Sequence, residues 1–302
     1  MEYPNFTNLH IEDFKSQLDY FESEYGFVSK DDFLTSFETQ QVPKGVVLTF
    51  DDGLSCHYDY VFPELKKRNL WGIFYIPTFP YVENKILDVH RTHLLLGKYD
   101  AEEIYSYLIK NIDESLLDHS KIAEFKQFTY TSQKNDQYTL LVKRTINYFI
   151  DYQYKNKIMD DLMNQFFPNE SEICKSFYLT PDQIKEMNDQ DMIIGSHTIN
   201  HPVMSRLSEE DQNHEIAASF DLLERIATPL PHKTFCYPYG GFHSFNDTSE
   251  KLLEKNGCKY SFNVEHRDIE LNDLLNRPQA LPRYDCNQFN FGQIRNRTYK
   301  SV

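Results

Sequence analysis

Short apolar runs alternate with amphipathic helical patterns along much of the chain, and this alternation predicts the fold class. The run at 46–50 is almost wholly apolar, as expected for a strand buried on both faces, and similar runs follow at 71–76, 192–195, 233–237, 259–264 and 280–284. Helical patterns separate most of these runs, for example at 60–68 and 208–226. Parallel strands joined by helices predict a closed or nearly closed α/β barrel, in which chemical groups lie at the carboxyl ends of the strands.

Two segments depart from this alternation. Residues 1–45 have an amphipathic helical pattern, with Phe14, Leu18 and Phe21 at helical spacing, and predict an N-terminal helical extension. Residues from about 85 to 176 have helical patterning almost throughout, and they predict a large helical insertion because structureless loops of that length are rare. We therefore expect a barrel over residues 46–302 that is interrupted by this insertion.

Composition restricts the classes of binding partner and the cellular location that we expect for this protein. The formal net charge of −15 disfavours binding to nucleic acid, and no apolar run approaches the roughly 20 residues that membrane insertion requires. The five cysteines are widely spaced and form no C-x-x-C pair, which argues against a disulfide framework or a cysteine-based zinc site. Residues 1–20 lack the basic-then-apolar layout of a signal peptide, so we expect a cytoplasmic protein.

Two adjacent carboxylates, Asp51 and Asp52, follow the first predicted strand in the sequence Thr-Phe-Asp-Asp-Gly at 49–53. Unpaired buried carboxylates are costly, and a divalent ion would offset that cost. One carboxylate can bind the ion while its neighbour accepts a proton from water. Taken alone, Asp-Asp-Gly is more typical of a surface turn.

Two histidines, His197 and His201, follow the strand predicted at 192–195 in the sequence Ser-His-Thr-Ile-Asn-His-Pro. Histidines at i and i+4 on one helical turn would direct both imidazoles at one ion. The alternative is a pair of unrelated loop histidines. Together with Asp52, however, they form a two-histidine, one-carboxylate set that leaves coordination positions open, which is typical of a catalytic metal.

A Pro-Tyr-Gly-Gly turn follows the strand predicted at 233–237 and includes Tyr239. Such a turn exposes backbone N–H groups, and an N–H directed at a developing oxyanion stabilises it without any particular side chain. Taken alone, the same sequence is typical of an ordinary proline–glycine turn.

The order of these three motifs resembles the polysaccharide deacetylase family, the NodB-homology domain of carbohydrate esterase family 4, over about residues 45–80 and 179–285. The resemblance implies a distorted (β/α) barrel of about seven parallel strands. It also implies a metal-dependent hydrolase that removes an N-acetyl group from a sugar or glycan amide. It makes Asp51 the general base and Tyr239 the oxyanion donor and a substrate contact, and it gives the metal ligands as Asp52, His197 and His201. We expect one divalent ion, with zinc first and cobalt, manganese or nickel as alternatives.

The sequence departs from the family pattern near the third motif. Many relatives have an arginine there that orients the base, whereas this chain has Cys236 and no arginine. We hypothesise that Arg283, in the late run Leu-Pro-Arg-Tyr-Asp at 281–285, reaches Asp51 and keeps it ionised. The alternative is a surface arginine on a strand.

A second departure concerns the general acid, because no histidine follows Arg283. The candidates elsewhere in the chain are His90, His93, His243 and His266. We favour His93 as the acid, with His90 as a substrate contact, because an insertion that follows a barrel strand would lie near the site and could act as a lid.

The sequence leaves the substrate open among an amino sugar, a nucleotide sugar and a glycan. Cell-wall deacetylases are normally exported, so the expected cytoplasmic location favours a soluble or precursor sugar. Two other functions remain open: a metal-dependent amidase acting on a non-sugar amide, and a barrel that binds glycan without cleaving it.

Overall fold

A computed structural model describes residues 9–117 and 136–293 of the chain. The chain divides into two compact units. The described part of the first unit comprises residues 83–117 and 136–175, and that of the second comprises residues 9–82 and 176–293.

The second unit contains the β-sheet, and helices occur in both units. The strands are β1 (Thr49–Phe50), β2 (Ile73–Ile76), β3 (Ile193–Ser196), β4 (Thr234–Cys236), β5 (Tyr260–Val264) and β6 (Leu281–Arg283). The described helices are α1 (Ile11–Glu24), α2 (Lys30–Thr39), α3 (Phe62–Lys67), α4 (Phe79–Glu83), α5 (Asp88–Lys98), α6 (Ala101–Asn111), α7 (Gln137–Arg144), α8 (Tyr152–Phe166), α9 (Glu170–Phe177), α10 (Pro181–Asp189), α11 (Glu209–Ile226), α12 (Asp247–Lys255) and α13 (Leu271–Asn276). In residues 9–117 and 136–293, no helix is both long enough and apolar enough to span a bilayer.

The six strands form one parallel sheet in the order β1-β2-β3-β4-β5-β6. The predicted class, a distorted parallel α/β barrel with a large helical insertion, is confirmed. The sheet has six strands among the described residues, slightly fewer than the expected seven. Strand order follows chain order. Because all six strands are parallel, their carboxyl ends lie at the same edge of the sheet.

Alternation along the strands builds a core on each face of the sheet. On β2, Ile73 and Tyr75 pack with Phe262 of β5 on one face, whereas Phe74 and Ile76 pack with the surrounding helices on the other. All four residues of β2 are buried. A parallel strand covered on both faces therefore has a continuous apolar sequence.

The sheet ends at β1 and β6, and no strand pairing joins these two strands in the described part of the chain. β1 is only half-buried, so the prediction that it is buried on both faces was wrong. Its position at the end of the sheet explains the difference. Residues of α1, β1 and β6 line a cleft of about 1320 Å³ beside it.

The N-terminal helices belong to the same unit as the sheet. On α1, Phe14 packs edge-on against Phe50 at a ring-centroid distance of 6.1 Å, and on α2, Phe33 packs against Tyr260 at 5.2 Å. Ser29 begins α2 by accepting a hydrogen bond from the N–H of Asp32, as expected of an N-cap serine. Helices α1 and α2 thus occupy much of residues 9–45, and the predicted N-terminal helical extension over residues 1–45 remains a prediction.

The other unit has a helical core around a buried arginine. The side chain of Arg91 is 2% exposed and forms ion pairs with Asp88, Asp160 and Glu170. These contacts join three helices, α5, α8 and α9. A guanidinium buried this deeply requires such partners, because an unpaired buried charge is very costly.

Candidate active site

The Asp51–Asp52 pair lies at the carboxyl end of β1, where the chain turns sharply. Asp52 has φ = 77° and Gly53 has φ = 60°, so both are left-handed. This turn directs the two neighbouring carboxylates to different partners. Asp51 contacts Arg283, whereas Asp52 contacts the histidines.

Arg283 binds both carboxylate oxygens of Asp51. Its Nη1 donates to Asp51 Oδ1 at 2.9 Å and to Thr49 Oγ1 at 3.1 Å, and its Nη2 donates to Asp51 Oδ2. The hypothesised contact between Arg283 and Asp51 is therefore present in the structure, and the alternative of a surface arginine is wrong. Bidentate pairing of this kind fixes the plane of the carboxylate as well as its charge.

The arginine also determines the ionisation of Asp51. Burial alone would raise the pKa of Asp51, but the charges of Arg283 and then His197 outweigh it and hold the pKa below its usual value. Asp51 is therefore an ionised carboxylate near neutral pH, as a general base must be.

The loop 197–201 brings two imidazoles together without forming a helix. Thr198 has φ = 70° and His201 has φ = 55°, so the predicted helical turn was wrong. Hydroxyl groups take the place of helical carbonyls, since the N–H of Thr198 donates to Ser196 Oγ and the N–H of His201 donates to Thr198 Oγ1. The His197 and His201 rings nevertheless lie 4.8 Å apart between centroids.

Asp52, His197 and His201 form a set that fits a divalent ion. The Nε2 atoms of His197 and His201 lie 3.6 and 3.5 Å from Asp52 Oδ1. Tetrahedral bonds of about 2.0–2.1 Å would place neighbouring donor atoms about 3.3–3.4 Å apart. The separations therefore match a zinc-sized ion, and three protein ligands leave room for water or substrate.

Cys236 contacts two members of the site, and sequence reasoning missed this role. Its carbonyl oxygen accepts a hydrogen bond from His197 Nδ1 at 2.7 Å, which leaves His197 Nε2 as the atom that can bind an ion. Its thiol donates to Asp51 Oδ2 at 3.7 Å. The signal lay in the alternation of β4, where Thr234 and Cys236 point to the same face.

A second set of ligand atoms, from Asp51, His197 and Cys236, overlaps the first. Two observations make it the weaker set for a metal. Arg283 already binds both oxygens of Asp51. Burial raises the pKa of the Cys236 thiol well above its ordinary value, so forming the thiolate that a metal binds would cost more than usual. The set with Asp52 is therefore favoured, which leaves Asp51 available for proton transfer.

The turn after β4 places Tyr239 beside the histidines. Tyr239, Gly240 and Gly241 are left-handed in succession, with φ of 65°, 63° and 74°. The Tyr239 ring lies 4.8 Å from the His201 ring between centroids. A Cβ on Gly240 would come within 2.4 Å of Val264 Cγ2, so only glycine fits there. Donation by the Tyr239 N–H to an oxyanion remains a prediction.

The histidines proposed for acid catalysis lie in both units. His93 is exposed and His90 is buried on α5, in the unit that contains residues 83–175, and their ring centroids are 6.3 Å apart. In the unit with the sheet, His266 lies 3.5 Å from a carboxylate oxygen of Asp285, and the carbonyl of His243 accepts a hydrogen bond from Ser205. The roles of His90 and His93 remain predictions.

A family model described as polysaccharide deacetylase matches residues 152–261. These residues, less than half of the chain, are similar to polysaccharide deacetylases. The matched segment includes His197, His201 and Tyr239. It confirms the family resemblance and the prediction of an enzyme of the carbohydrate deacetylase class.

Solved deacetylase structures resemble the chain at low sequence identity. The Streptococcus pyogenes deacetylase PplD in complex with acetate is 17% identical, with a TM-score of 0.53 over 92% of this chain and 82% of that one. IcaB from Ammonifex degensii is 18% identical, with a TM-score of 0.48 over 91% and 82%. No curated protein matches the chain. At such identities the likeness to PplD supports the fold alone.

Proposed function

We propose that this protein is a metal-dependent hydrolase that removes an N-acetyl group from a sugar or glycan amide. One observation supports this most strongly. An arginine-paired carboxylate, Asp51, lies next in sequence to Asp52, whose side chain completes a two-histidine, one-carboxylate set. The family match to residues 152–261 supports the substrate class.

The proposed chemistry divides the work between the two aspartates. A divalent ion bound by Asp52, His197 and His201 would supply Lewis acidity, which lowers the pKa of water and polarises an amide carbonyl. Asp51 would accept a proton from the water whose oxygen attacks the carbonyl carbon. Arg283 would keep Asp51 anionic before this transfer and orient it.

Two further groups would complete the reaction. The Tyr239 N–H would donate to the oxyanion that develops on the carbonyl oxygen. When the C–N bond breaks, the leaving nitrogen needs a proton, and we assign this role to His93, with His90 as a substrate contact. The products would be acetate and a free amino sugar.

The substrate remains a proposal among an amino sugar, a nucleotide sugar and a glycan. The net charge of −15 disfavours phosphate-rich substrates, so a nucleotide sugar is the less favoured of the three. The cytoplasmic location expected from the sequence remains a prediction.

Acetate release tests the proposal. The purified chain is incubated with chitooligosaccharides, UDP-N-acetylhexosamines and simple acetamides, before and after chelation and with one equivalent of zinc, cobalt, manganese or nickel restored. The proposal expects release from at least one sugar amide that disappears on chelation and returns with metal. Turnover of simple amides alone would support the amidase function. Binding of chitooligosaccharide without turnover at any metal loading would support a non-catalytic barrel.

A further inference from the structure

The loop 197–201 has an unusual backbone that needs external support. Thr198 is fully buried and left-handed, with φ = 70°, although it is β-branched. His201 is also left-handed, with φ = 55°. Such conformations persist only where surrounding contacts impose them. The contacts that impose this loop therefore determine where the two imidazoles point.

Helix α11 supplies one of these contacts through Glu215. Glu215 Oε2 accepts hydrogen bonds from the backbone N–H groups of Ile199 at 2.7 Å and Asn200 at 2.9 Å, and Oε1 accepts one from Asn200 Nδ2 at 2.6 Å. The residue is only 6% exposed. In the described part of the chain, no lysine or arginine forms an ion pair with Glu215. The loop donors are therefore the groups that compensate its burial.

Helix α11 holds the beginning of the loop as well. Ser219 lies one turn after Glu215 on the same face of the helix, and its Oγ lies 2.6 Å from Ser196 Oγ. Ser196 in turn accepts the N–H of Thr198 at 3.1 Å. One helical face thus binds the loop on both sides of Thr198.

We propose that Glu215 is a positioning residue for the metal site, which it controls by fixing the loop that contains His197 and His201. This inference rests on the metal-binding part of the proposed function. The carboxylate binds the backbone N–H groups of Ile199 and Asn200, which lie between the two histidines in the loop. Because the loop is held in place before an ion binds, less ordering is required on binding, and the affinity for the ion is higher.

Cobalt(II) binding to the metal-free full-length chain tests the proposal without any substrate. The apparent Kd and the d–d absorption spectrum are measured for the wild type and for Glu215→Gln. In this variant an amide NH₂ group replaces one carboxylate oxygen, so a donor would face the N–H donors of the loop. We expect Glu215→Gln to bind Co²⁺ about 10- to 100-fold more weakly, as other outer partners of metal ligands do, and with altered bands. Glu215→Asp keeps the charge but is shorter, and should recover part of the affinity.

The matched control is Asp221→Asn, which removes one negative charge from an exposed position of the same helix. It should bind Co²⁺ as the wild type does. If Glu215→Gln does not fold, as judged by circular dichroism, Asn200→Ala decides, because it removes one donor to Glu215 from an exposed side chain. Weaker Co²⁺ binding by Asn200→Ala supports the proposal.

Three results would overturn the inference. Wild-type affinity and spectrum in a folded Glu215→Gln would refute it while leaving the proposed function intact. Wild-type affinity in Asn200→Ala, where that variant decides, would refute it too. A wild-type chain that binds no Co²⁺ would refute the inference and the metal-dependent function together.

Discussion

Arg283 on β6 and Asp51 after β1 are joined by two N–H···O hydrogen bonds, although they are 232 positions apart in sequence. The same guanidinium binds Thr49 of β1. The two strands at the ends of the sheet thus meet through side chains at the point where chemistry is proposed. Several measurable properties depend on this pair.

The pH dependence of activity should change when Arg283 is removed. In the wild type the pKa of Asp51 is lowered, so the base form is lost only as the pH falls below the ordinary range of aspartate titration. In Arg283→Met, burial is no longer opposed by the guanidinium, so the pKa rises and the acid limb of kcat/KM moves to higher pH. We also expect kcat to fall about 100-fold, because the base loses its orientation.

The control for this experiment is Arg277→Met, which removes an arginine paired with Glu250 elsewhere in the same unit. It should leave the pH profile unchanged. Full turnover and an unshifted profile in Arg283→Met would remove Arg283 from the mechanism.

Substitution of each aspartate in turn should distinguish the general base from the metal ligand. Asp51→Asn should lower kcat about 10²- to 10⁴-fold while the bound metal is retained, because a proton acceptor is lost and the ligand set is intact. Asp52→Asn should lose the metal itself. Metal content after dialysis and acetate release are measured on both variants. If Asp51→Asn loses metal and Asp52→Asn keeps it, the two roles are reversed.

The general acid can be identified with substrates that differ in whether their leaving group needs a proton. His93→Gln should lower kcat about 100-fold on a sugar acetamide, because a departing amine needs a proton. It should have little effect on p-nitrophenyl acetate, whose leaving group departs without protonation. His232→Gln, which changes a histidine preceding β4 at the other end of the strand, is the control. An unchanged kcat on the acetamide would exclude His93, and the same assay then applies to His266.

Gly195 should be sensitive to a single added methyl group. A Cβ there would lie 2.5 Å from the ring of Tyr75, which is fully buried. Gly195→Ala should therefore lower the free energy of unfolding by about 1–3 kcal/mol in urea titration. Tyr75→Leu combined with Gly195→Ala should lose less than the sum of the single variants, because the space conflict is shared. If the losses in free energy of unfolding were strictly additive, the steric conflict between the added methyl group and the Tyr75 ring would be relieved by other movements.

Much of the fold could be predicted because buried parallel strands have a simple sequence pattern. The runs at 71–76 and 259–264 correspond closely to β2 and β5. Helix α10 begins at Pro181 directly after its N-cap residue Thr180, and the structure has a capping box there. These features depend on local sequence and burial alone, so a single chain reveals them.

Features that depend on long-range contacts were less predictable. The spacing of His197 and His201 indicated a helical turn, yet hydroxyl groups of Ser196 and Thr198 compete for the backbone and produce a left-handed loop. The bonds from Cys236 to His197 and Asp51 were not visible either, because they depend on the alignment of separate strands. Glu215 gave no signal beyond an ordinary helical carboxylate.

The side-chain contact between β1 and β6 links the heat resistance of the enzyme's activity to the geometry of its active site. Where other neighbouring strands are joined by backbone ladders, these two are connected at the catalytic end by the side chain of Arg283. A modest separation of the two strands would break the ion pair and leave Asp51 without its counter-charge, while the core between β2 and β5 stayed folded. On heating, activity should therefore be lost at a lower temperature than the one at which the protein unfolds.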